Sequence, residues 1–392
     1  MTFSFYARCV CWLPLCLVAF ALPNASVKAQ DPLWDATNPV PAAADLPDIE
    51  GIEFHVIKAR QPERDGFNWL HGVALAWHGE KLFASFGHNS GKENTASEIA
   101  NYTVSEDGGQ TWSKVKLIDD GKEEDLAVSH GVFLRQAKTL WAFQGAFYGR
   151  MKKIHTRAYS LDEASGQWRF HGVVIEDGFW PMQEPQKMPD GNWIMAGLQV
   201  VEGIGGGNNP AAVAISHGND FTKWSLVSVP RPAAMAMWGE STVVANGRHV
   251  TNISRFRQPV ALVSRSADYG RTWSTMKESN LPMTASKPYA GTLSTGQAYL
   301  IGNTTADSRN RRWPLTITVT DQAECSFRRV FKIRDAEHPH AGESHPKAAL
   351  SYPYAIEHQG KLYVGYSNDG GRGANRNSAE LAVIPVTSVA GR

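Results

Sequence analysis

Over most of its length the chain alternates short runs of β-forming residues with polar turns. Two of these turns, residues 105–112 (SEDGGQTW) and 266–273 (SADYGRTW), share one pattern, and each follows a β-rich run. The Asp can accept hydrogen bonds from its own turn, the Gly at the fifth position allows a positive φ, and Thr-Trp restarts a strand. The pattern predicts hairpin turns between antiparallel strands.

Weaker copies of this turn recur at a nearly constant interval. Residues 160–168 and 216–224 keep parts of the pattern, Thr320-Asp321 stands where a fifth copy would fall, and the starts are 50 to 56 residues apart. This interval is typical of one four-stranded blade of a β-propeller. The last blade lacks an outer strand, and residues 52–59 (IEFHVIKA) form a spare strand-like run near the start. The sequence therefore predicts an all-β, six-bladed β-propeller closed by an N-terminal strand, with seven blades as the alternative.

The N-terminal region differs from the rest in composition. Residues 1–29 have the parts of a signal peptide: a basic start, a short apolar core at 9–22 and a small-residue cleavage site at 27–29. We expect export of the mature protein to the periplasm or the extracellular space. Residues 30–48, rich in Pro and Ala, are interpreted as a linker or strap, and residues 49–392 as the propeller.

Cysteine and charge content narrow the function. Cys9, Cys11 and Cys16 leave with the predicted signal peptide, so only Cys325 remains and we expect no intramolecular disulfide. Lys plus Arg number 39 against 38 for Asp plus Glu, a balance that gives no electrostatic case for binding nucleic acid or a membrane surface.

Two motifs that suggest cofactors are weak. His338, His340 and His345 lie close together, but prolines interrupt them and no Cys accompanies them. The glycine-rich residues 203–207 precede no strand-to-helix pattern and therefore indicate a flexible connection, not a phosphate loop. We predict neither a metal nor an organic cofactor.

In a propeller the first strand of each blade lines the central channel, and the loops at one mouth carry function. Counting back from each turn places charged or aromatic residues at the start of all six inner strands: His71, His130, Glu184, Glu240, Lys287 with Tyr289, and Tyr352 with Tyr354. The second strands also end in polar residues near the same mouth: His88, Tyr148, Gln199, Arg255 with Arg257, Asn303 and Asn368. Such a lining favours an anionic, polyhydroxylated ligand, and a sugar acid fits that description.

The same residues also allow a purely structural interpretation. His71 and His130 can be core imidazoles bonded to neighbouring blades, and Glu184 and Glu240 can be buried carboxylates paired across the channel. Arg309, Arg311 and Arg312 are typical of a solvated loop.

The recurring turn resembles the Asp-box, or BNR repeat, of the sialidase superfamily of β-propellers. Sialidases cleave terminal sialic acid with a Tyr nucleophile activated by a Glu, an Asp acid/base, and three Arg that bind the carboxylate. The resemblance implies Glu240 as the base, Arg255 or Arg257 as one carboxylate ligand, and Tyr352 or Tyr354 as the nucleophile. It predicts a Tyr hydroxyl within about 3 Å of a Glu240 oxygen.

The chain departs from the family pattern in the first blade. His71 stands where the family has its first Arg, and the expected Asp is missing from the region that holds His88, Glu93 and Asn94. No Arg is clearly placed for the third position. Under the hydrolase hypothesis His88 serves as the acid, and the remaining substrate-binding candidates are His130, Glu184 and Lys287.

Two alternatives remain open. His71, His88, Tyr148 and Arg157 resemble the catalytic set of ulvan lyases and related rhamnosyl-glucuronate propeller enzymes. That resemblance implies neutralisation of a uronate carboxylate and proton removal by Tyr148, and it requires His71, His88 and Tyr148 to converge. The second alternative is a non-catalytic glycan-binding propeller.

Overall fold

The computed structural model describes Met1 and residues 31–201, 208–321 and 326–390. The first elements among the described residues are a 3₁₀ helix (Ala43–Asp45), strand β1 (Glu53–Lys58) and helix α1 (Pro62–Asp65). The first blade follows as β2 (Trp69–His78), β3 (Lys81–Asn89), β4 (Ile99–Ser105) and β5 (Lys116–Asp119). The second is β6 (Leu126–Gln136), β7 (Thr139–Tyr148), β8 (Lys152–Asp162) and β9 (Gln167–Ile175).

The third blade has a divided inner strand, β10 (Phe179–Pro181) and β11 (Gln186–Lys187), followed by β12 (Trp193–Gln199), β13 (Ala211–His217) and β14 (Asp220–Ser228). The fourth is β15 (Met237–Asn246), β16 (His249–Phe256), β17 (Val260–Ser266) and β18 (Lys277–Pro282). The fifth is β19 (Tyr289–Thr292), β20 (Ala298–Gly302), β21 (Leu315–Thr320) and β22 (Phe327–Arg334). The sixth contains β23 (Leu350–His358), β24 (Lys361–Asn368) and β25 (Ser378–Pro385), before helix α2 (Val386–Ala390).

The described residues thus form six antiparallel sheets, as the repeat interval predicted, and not seven. The sixth sheet has the order β1-β25-β24-β23, so its outer strand comes from the start of the chain. Phe54 lies opposite Ala382 and Val56 opposite Glu380 in this pairing. The prediction of ring closure by an N-terminal strand is confirmed, and the pairing covers the edge that β25 would otherwise expose.

The two strong turn motifs have the same hydrogen bonds. Ser105 Oγ donates to Asp107 Oδ1 at 2.8 Å, and both the backbone and the side chain of Thr111 donate to the Asp107 carboxylate at 2.8 and 2.6 Å. Trp112 Nε1 donates to the Gly109 carbonyl at 3.0 Å. Each of these contacts recurs in the second copy, through Ser266, Asp268, Gly270, Thr272 and Trp273. The motif is therefore a self-bonded turn between the third and fourth strands of a blade.

Residues 31–48 lie along the outer strands of the fourth and fifth blades. The backbone amides of Leu33 and Trp34 both donate to Asn280 Oδ1 at 2.9 Å, and Trp34 forms a parallel bridge with Phe327. Both side chains are buried. The segment therefore packs as a strap in this structure.

Some sequence-based expectations concern residues that the structure does not describe. The predicted signal peptide with its three cysteines, the glycine-rich residues 203–207 and Cys325 all lie outside the described residues. Among the residues that are described, no helix is both long and apolar enough to cross a bilayer.

Candidate active site

Four inner strands carry an irregularity at the same mouth of the channel. In each of them the pairing register with the next strand shifts at one point. The shift lies between His71 and Ala74 in β2, between Val128 and Gly131 in β6, between Met237 and Ser241 in β15, and between Ser351 and Tyr354 in β23. A β-bulge of this kind redirects a side chain that a regular strand would hold in alternation. Gly72, Gly239 and Tyr352 have the positive φ that such local bends use. The bulges place His71, His130, Glu240 and Tyr352 around one pocket.

This pocket has a volume of about 400 Å³, at the small end of the range for ligand sites. Its polar lining comes from all six blades and their loops: His71, Glu93, His130, Asn209, Glu240, Arg255, Arg312, Tyr352 and Asn375. Its apolar lining is Met151, Trp180, Met182, Leu198, Val200 and Trp238. The pocket therefore combines cationic and carboxylate side chains with apolar ones.

Tyr352, Glu240 and Arg255 form the centre of the site. The Tyr352 hydroxyl donates to Glu240 Oε1, and Arg255 Nη1 donates to Glu240 Oε2 at 2.5 Å and to the Tyr352 hydroxyl at 3.3 Å. Tyr352 and Glu240 are only 8% and 6% exposed. Burial and then the charge of Glu240 raise the pKa of Tyr352 well above its usual value, while Arg255 opposes the shift. The phenol is therefore protonated at rest, with an acceptor for its proton already in contact.

The structure separates the two residues of each pair that the sequence left open. Arg257 is exposed and does not line the pocket; its guanidinium stacks over Trp238 at 5.0 Å, on the ring that Arg255 also contacts at 5.1 Å. Tyr354 lies deeper in the channel, where its ring packs against Tyr289 at 4.7 Å. Arg255 and Tyr352 both bond to Glu240.

Two further residues of the pocket were not among the predicted site residues. Glu93, in the loop between β3 and β4, is exposed but lines the pocket, and partial desolvation raises the pKa of its carboxyl group, opposed by a hydrogen bond with Asn375. Arg312, in the loop before β21, lies near enough to Arg255 and Glu240 to interact electrostatically with both. Glu93 falls in the region where the sialidase pattern has its acid. That pattern specifies Asp, whose side chain is shorter, and therefore does not identify Glu93. The sequence indicates a solvated loop for Arg312, whereas the structure places this residue in the pocket.

Lys287 and Tyr354 are buried beneath the pocket, and Glu184 is half-buried in the same layer. Lys287 Nζ donates to the Pro353 carbonyl at 2.8 Å, and burial lowers the pKa of its amine to about 7. Burial raises the pKa of Glu184 to about 7, opposed by the Tyr354 and Tyr289 hydroxyls. Glu184 lines a separate pocket of about 580 Å³, among residues near the opposite ends of the inner strands. This layer supports the pocket from below and does not line it.

His88, Tyr148 and Arg157 are not brought to the pocket. The His88 ring stacks on Phe67 with centroids 3.8 Å apart, and its Nδ1 contacts the Asn101 amide at 3.2 Å. The Tyr148 hydroxyl donates to Glu123 at 2.7 Å, a bond that raises its pKa. Arg157 pairs with Asp119 at 3.4 Å. The convergence of His71, His88 and Tyr148 that the lyase hypothesis requires is absent from the described structure.

The three histidines of the 338–345 segment do not assemble either. His338 Nε2 contacts the Glu343 carbonyl at 2.8 Å, and the rings of His338 and His340 stack at 6.1 Å. In the described part of the chain no group of three or more His, Cys, Asp or Glu is placed to hold a metal ion.

Comparison with known proteins agrees with this architecture. The family model of the BNR repeat-like domain matches residues 80–364. A protein of unknown function from Dyadobacter fermentans superposes with a TM-score of 0.64 at 14% identity, covering 86% of this chain and 99% of that one. The NanB sialidase of Streptococcus pneumoniae, as its K499G mutant, superposes with a TM-score of 0.60 at 10% identity, covering 85% and 71%. Trypanosoma rangeli sialidase superposes with a TM-score of 0.59 at 12% identity, covering 85% of this chain and 59% of that one.

A search among curated proteins gave no match. The solved structures are too distant in sequence to show more than a shared fold, whereas the family model covers most of the chain. The protein therefore belongs to the BNR repeat-like domain family and has the sialidase-type six-bladed β-propeller fold.

Proposed function

We propose that the protein is a secreted, sialidase-like exo-glycosidase that removes a terminal sugar acid from an anionic glycan. The observation that carries this proposal is the direct hydrogen bond from Tyr352 to Glu240, with Arg255 bound to both. A nucleophile in contact with its base, which a third group orients, is the arrangement that covalent catalysis needs. The superposition on sialidases is consistent with it.

In this proposal Tyr352 attacks the anomeric carbon while Glu240 takes the phenolic proton. Because burial keeps the phenol protonated, attack requires this coupled proton transfer. A neutral phenol also avoids the repulsion that a carboxylate nucleophile would meet from a carboxylate on the substrate. The nucleophile type therefore favours a sugar whose carboxylate lies close to the reacting carbon.

Glu93 is the proposed acid for the leaving oxygen, in place of His88. Its raised pKa keeps the carboxyl protonated to a higher pH than an ordinary glutamate, as a general acid requires. Burial lowers the pKa of His88 to about 3, so the imidazole is uncharged near neutral pH and is a poor acid for the leaving oxygen. Arg255 and Arg312 are the proposed carboxylate ligands, and the 400 Å³ volume suits one terminal sugar rather than an internal segment.

The test is hydrolysis of a fluorogenic sialoside and a fluorogenic glucuronide by the wild type and three variants. Tyr352→Phe and Glu240→Gln should each lower the rate by about 10²-fold or more, since they remove the nucleophile or its base. Tyr148→Phe is the matched control because Tyr148 lies outside the pocket, and it should keep full activity. Mass spectrometry should find a glycosyl adduct on the peptide containing Tyr352 when a slowly hydrolysed fluorinated sugar is used.

The same variants separate the alternatives. A uronate lyase would give an unsaturated product that absorbs in the ultraviolet and would lose activity in Tyr148→Phe. A binding module would give no product from any substrate, and its affinity for glycan would be unchanged in Tyr352→Phe. Either result would replace the hydrolase proposal.

A further inference from the structure

His71 and His130 are two imidazoles that the proposed reaction does not use. Both line the pocket, and their rings approach Tyr352 with centroids 3.8 and 6.2 Å away. His71 is 1% exposed. The Nε2 atom of each ring is buried and has no hydrogen-bond partner among the described residues. A buried polar nitrogen without a partner is unfavourable, so its place beside a pocket points to a ligand atom.

Asn377 fixes the tautomer of His71. The Asn377 side-chain amide donates to the Leu70 carbonyl at 2.6 Å, which orients its NH₂ group toward β2. The same nitrogen lies 3.3 Å from His71 Nδ1. Since an amide NH₂ group only donates, Nδ1 must accept, and the ring proton of a neutral imidazole is then on Nε2. His71 therefore presents an N–H group as its unpartnered atom.

The surroundings keep both rings uncharged. Burial and the neighbouring His130, Arg312, Arg255 and Lys287 lower the pKa of His71 well below its usual value. Burial lowers the pKa of His130 to about 3. The pocket therefore contains two guanidinium groups, those of Arg255 and Arg312, and two uncharged imidazoles.

We propose that His71 determines substrate specificity by donating its Nε2–H to an uncharged oxygen of the sugar, with His130 beside it, while the arginines hold the carboxylate. The inference rests on the proposed function for the identity of the ligand as a sugar acid. Because the His71 ring contacts the Tyr352 ring, an oxygen bound at His71 would lie near the proposed nucleophile. The ligand class is a monocarboxylate sugar that also carries a hydroxyl or ring oxygen within reach of His71.

Equilibrium binding of a sugar tests the role of His71 without any turnover. The binding can therefore be measured even if the protein does not hydrolyse glycosides. Calorimetry with N-acetylneuraminate, glucuronate and uncharged methyl glucoside should show binding of at least one acid by the folded wild type and weaker binding of the glucoside. His71→Leu should weaken binding of that acid by about tenfold or more, because the donor is lost. His71→Gln, which retains an N–H donor, should recover most of the affinity.

Two controls complete the experiment. His88→Gln changes a buried imidazole outside the pocket and should leave sugar binding unaltered. Nitrogen-15 spectra at neutral pH, with the His71 signals assigned by their loss in His71→Gln, should show a neutral ring protonated at Nε2. Equal affinities of the wild type and His71→Leu, no sugar acid bound at millimolar concentration, or a His71 ring that is charged or protonated at Nδ1 would each overturn the inference.

Discussion

Tyr352 has a backbone conformation that tyrosine rarely adopts. Its φ of 54° lies in the left-handed region, where a side chain other than glycine costs about 1 kcal/mol or more. Pro353 follows it, and Lys287 donates to the Pro353 carbonyl from below. The strained residue thus sits in the bulge of β23 with its hydroxyl on Glu240, and neighbouring blades hold it there.

Glu93 leads to a prediction about leaving groups. Glu93→Gln removes the proton donor, so hydrolysis of a substrate with a sugar leaving group should slow by about 10²-fold or more. A 4-methylumbelliferyl leaving group needs little protonation, and its release should slow far less. The protonated carboxyl group of Glu93 is the active form, so the wild-type rate should fall as the pH rises through the Glu93 pKa. The rate of Glu93→Gln should not show this fall.

The ratio of the two rates in wild type and variant is the measurement. If Glu93→Gln slowed both substrates equally, Glu93 would act in binding and not as the acid.

Sequence reasoning reached some of these residues and not others. Glu240 and Tyr352 could be proposed because they stand at countable positions in inner strands. Tyr354 could not be separated from Tyr352, since residues two apart share a face in a regular strand and only the bulge gives them different surroundings. Glu93 and Arg312 lie in loops, and the strand count does not fix where a loop side chain ends.

At the scale of single elements, the bulge of β15 can be tested at Gly239. A Cβ atom there would lie 2.3 Å from the Asn209 carbonyl, and the φ of 73° disfavours any larger residue. Gly239→Ala should therefore lower the free energy of unfolding by more than about 1 kcal/mol and displace the adjacent Glu240. Urea unfolding measures the first effect, and the hydrolysis rate measures the second.

Gly247→Ala is the matched control. Gly247 has a φ of 59° in the turn that follows β15, but a Cβ atom there would meet nothing within 4 Å. It shares the conformational cost without the collision. Similar losses in both variants would show that the close contact with Asn209 is unimportant.

The self-bonded turns predict a dependence of stability on acid. Hydrogen bonds from Thr111 lower the pKa of Asp107 to about 2. For Asp268, desolvation is the largest single effect and raises the pKa, but the hydrogen bonds from Thr272 and Ser266 together outweigh it and lower the pKa to about 2. A carboxyl whose pKa is lower in the folded chain than its usual 3.8 stabilises the fold above about pH 4 and loses that contribution as pH falls toward 2. The double variant Asp107→Asn, Asp268→Asn should melt several degrees below the wild type at pH 7.

Melting temperatures at pH 7 and pH 2.5 provide the check. The gap between wild type and double variant should narrow at the lower pH, where the wild-type carboxylates also begin to protonate. A gap of constant size would mean that the carboxylate charge contributes nothing.

The third blade shows why a repeat interval predicts elements better than their details. Pro181 and Pro185 lack the amide hydrogens that a continuous inner strand would donate, and the strand divides into β10 and β11 between them. The period of the turns still placed this blade correctly. The period depends on the residues of each turn, which can be recognised locally in the sequence. A break within a strand depends on the hydrogen-bond partner of each backbone amide, which is set by the tertiary structure.

At the scale of the whole molecule, the ring depends on β1. Ile57 is 4% exposed and packs in the main core, while Glu53 on the same strand makes exposed contacts with Lys361 at 3.2 Å and His55 at 3.7 Å. Ile57→Ala should lower the free energy of unfolding by about 2–5 kcal/mol, through lost burial and the cavity it leaves. Glu53→Ala should change it by about 1 kcal/mol or less.

Denaturant unfolding of both variants measures how much the packing of β1 contributes to the free energy of unfolding. Equal, small effects would indicate that β1 is a peripheral addition to an already stable ring.

Closure by the first strand also has a consequence for the order of biosynthesis. The segment made first must wait for β25, which is among the last to be made, before the sixth sheet gains its outer edge. Tyr352 belongs to that same sheet and Glu240 to one finished more than a hundred residues earlier. In the proposed mechanism a growing polypeptide therefore has no nucleophile until the sixth sheet is made, and that sheet takes its outer strand from a segment more than three hundred residues before β25.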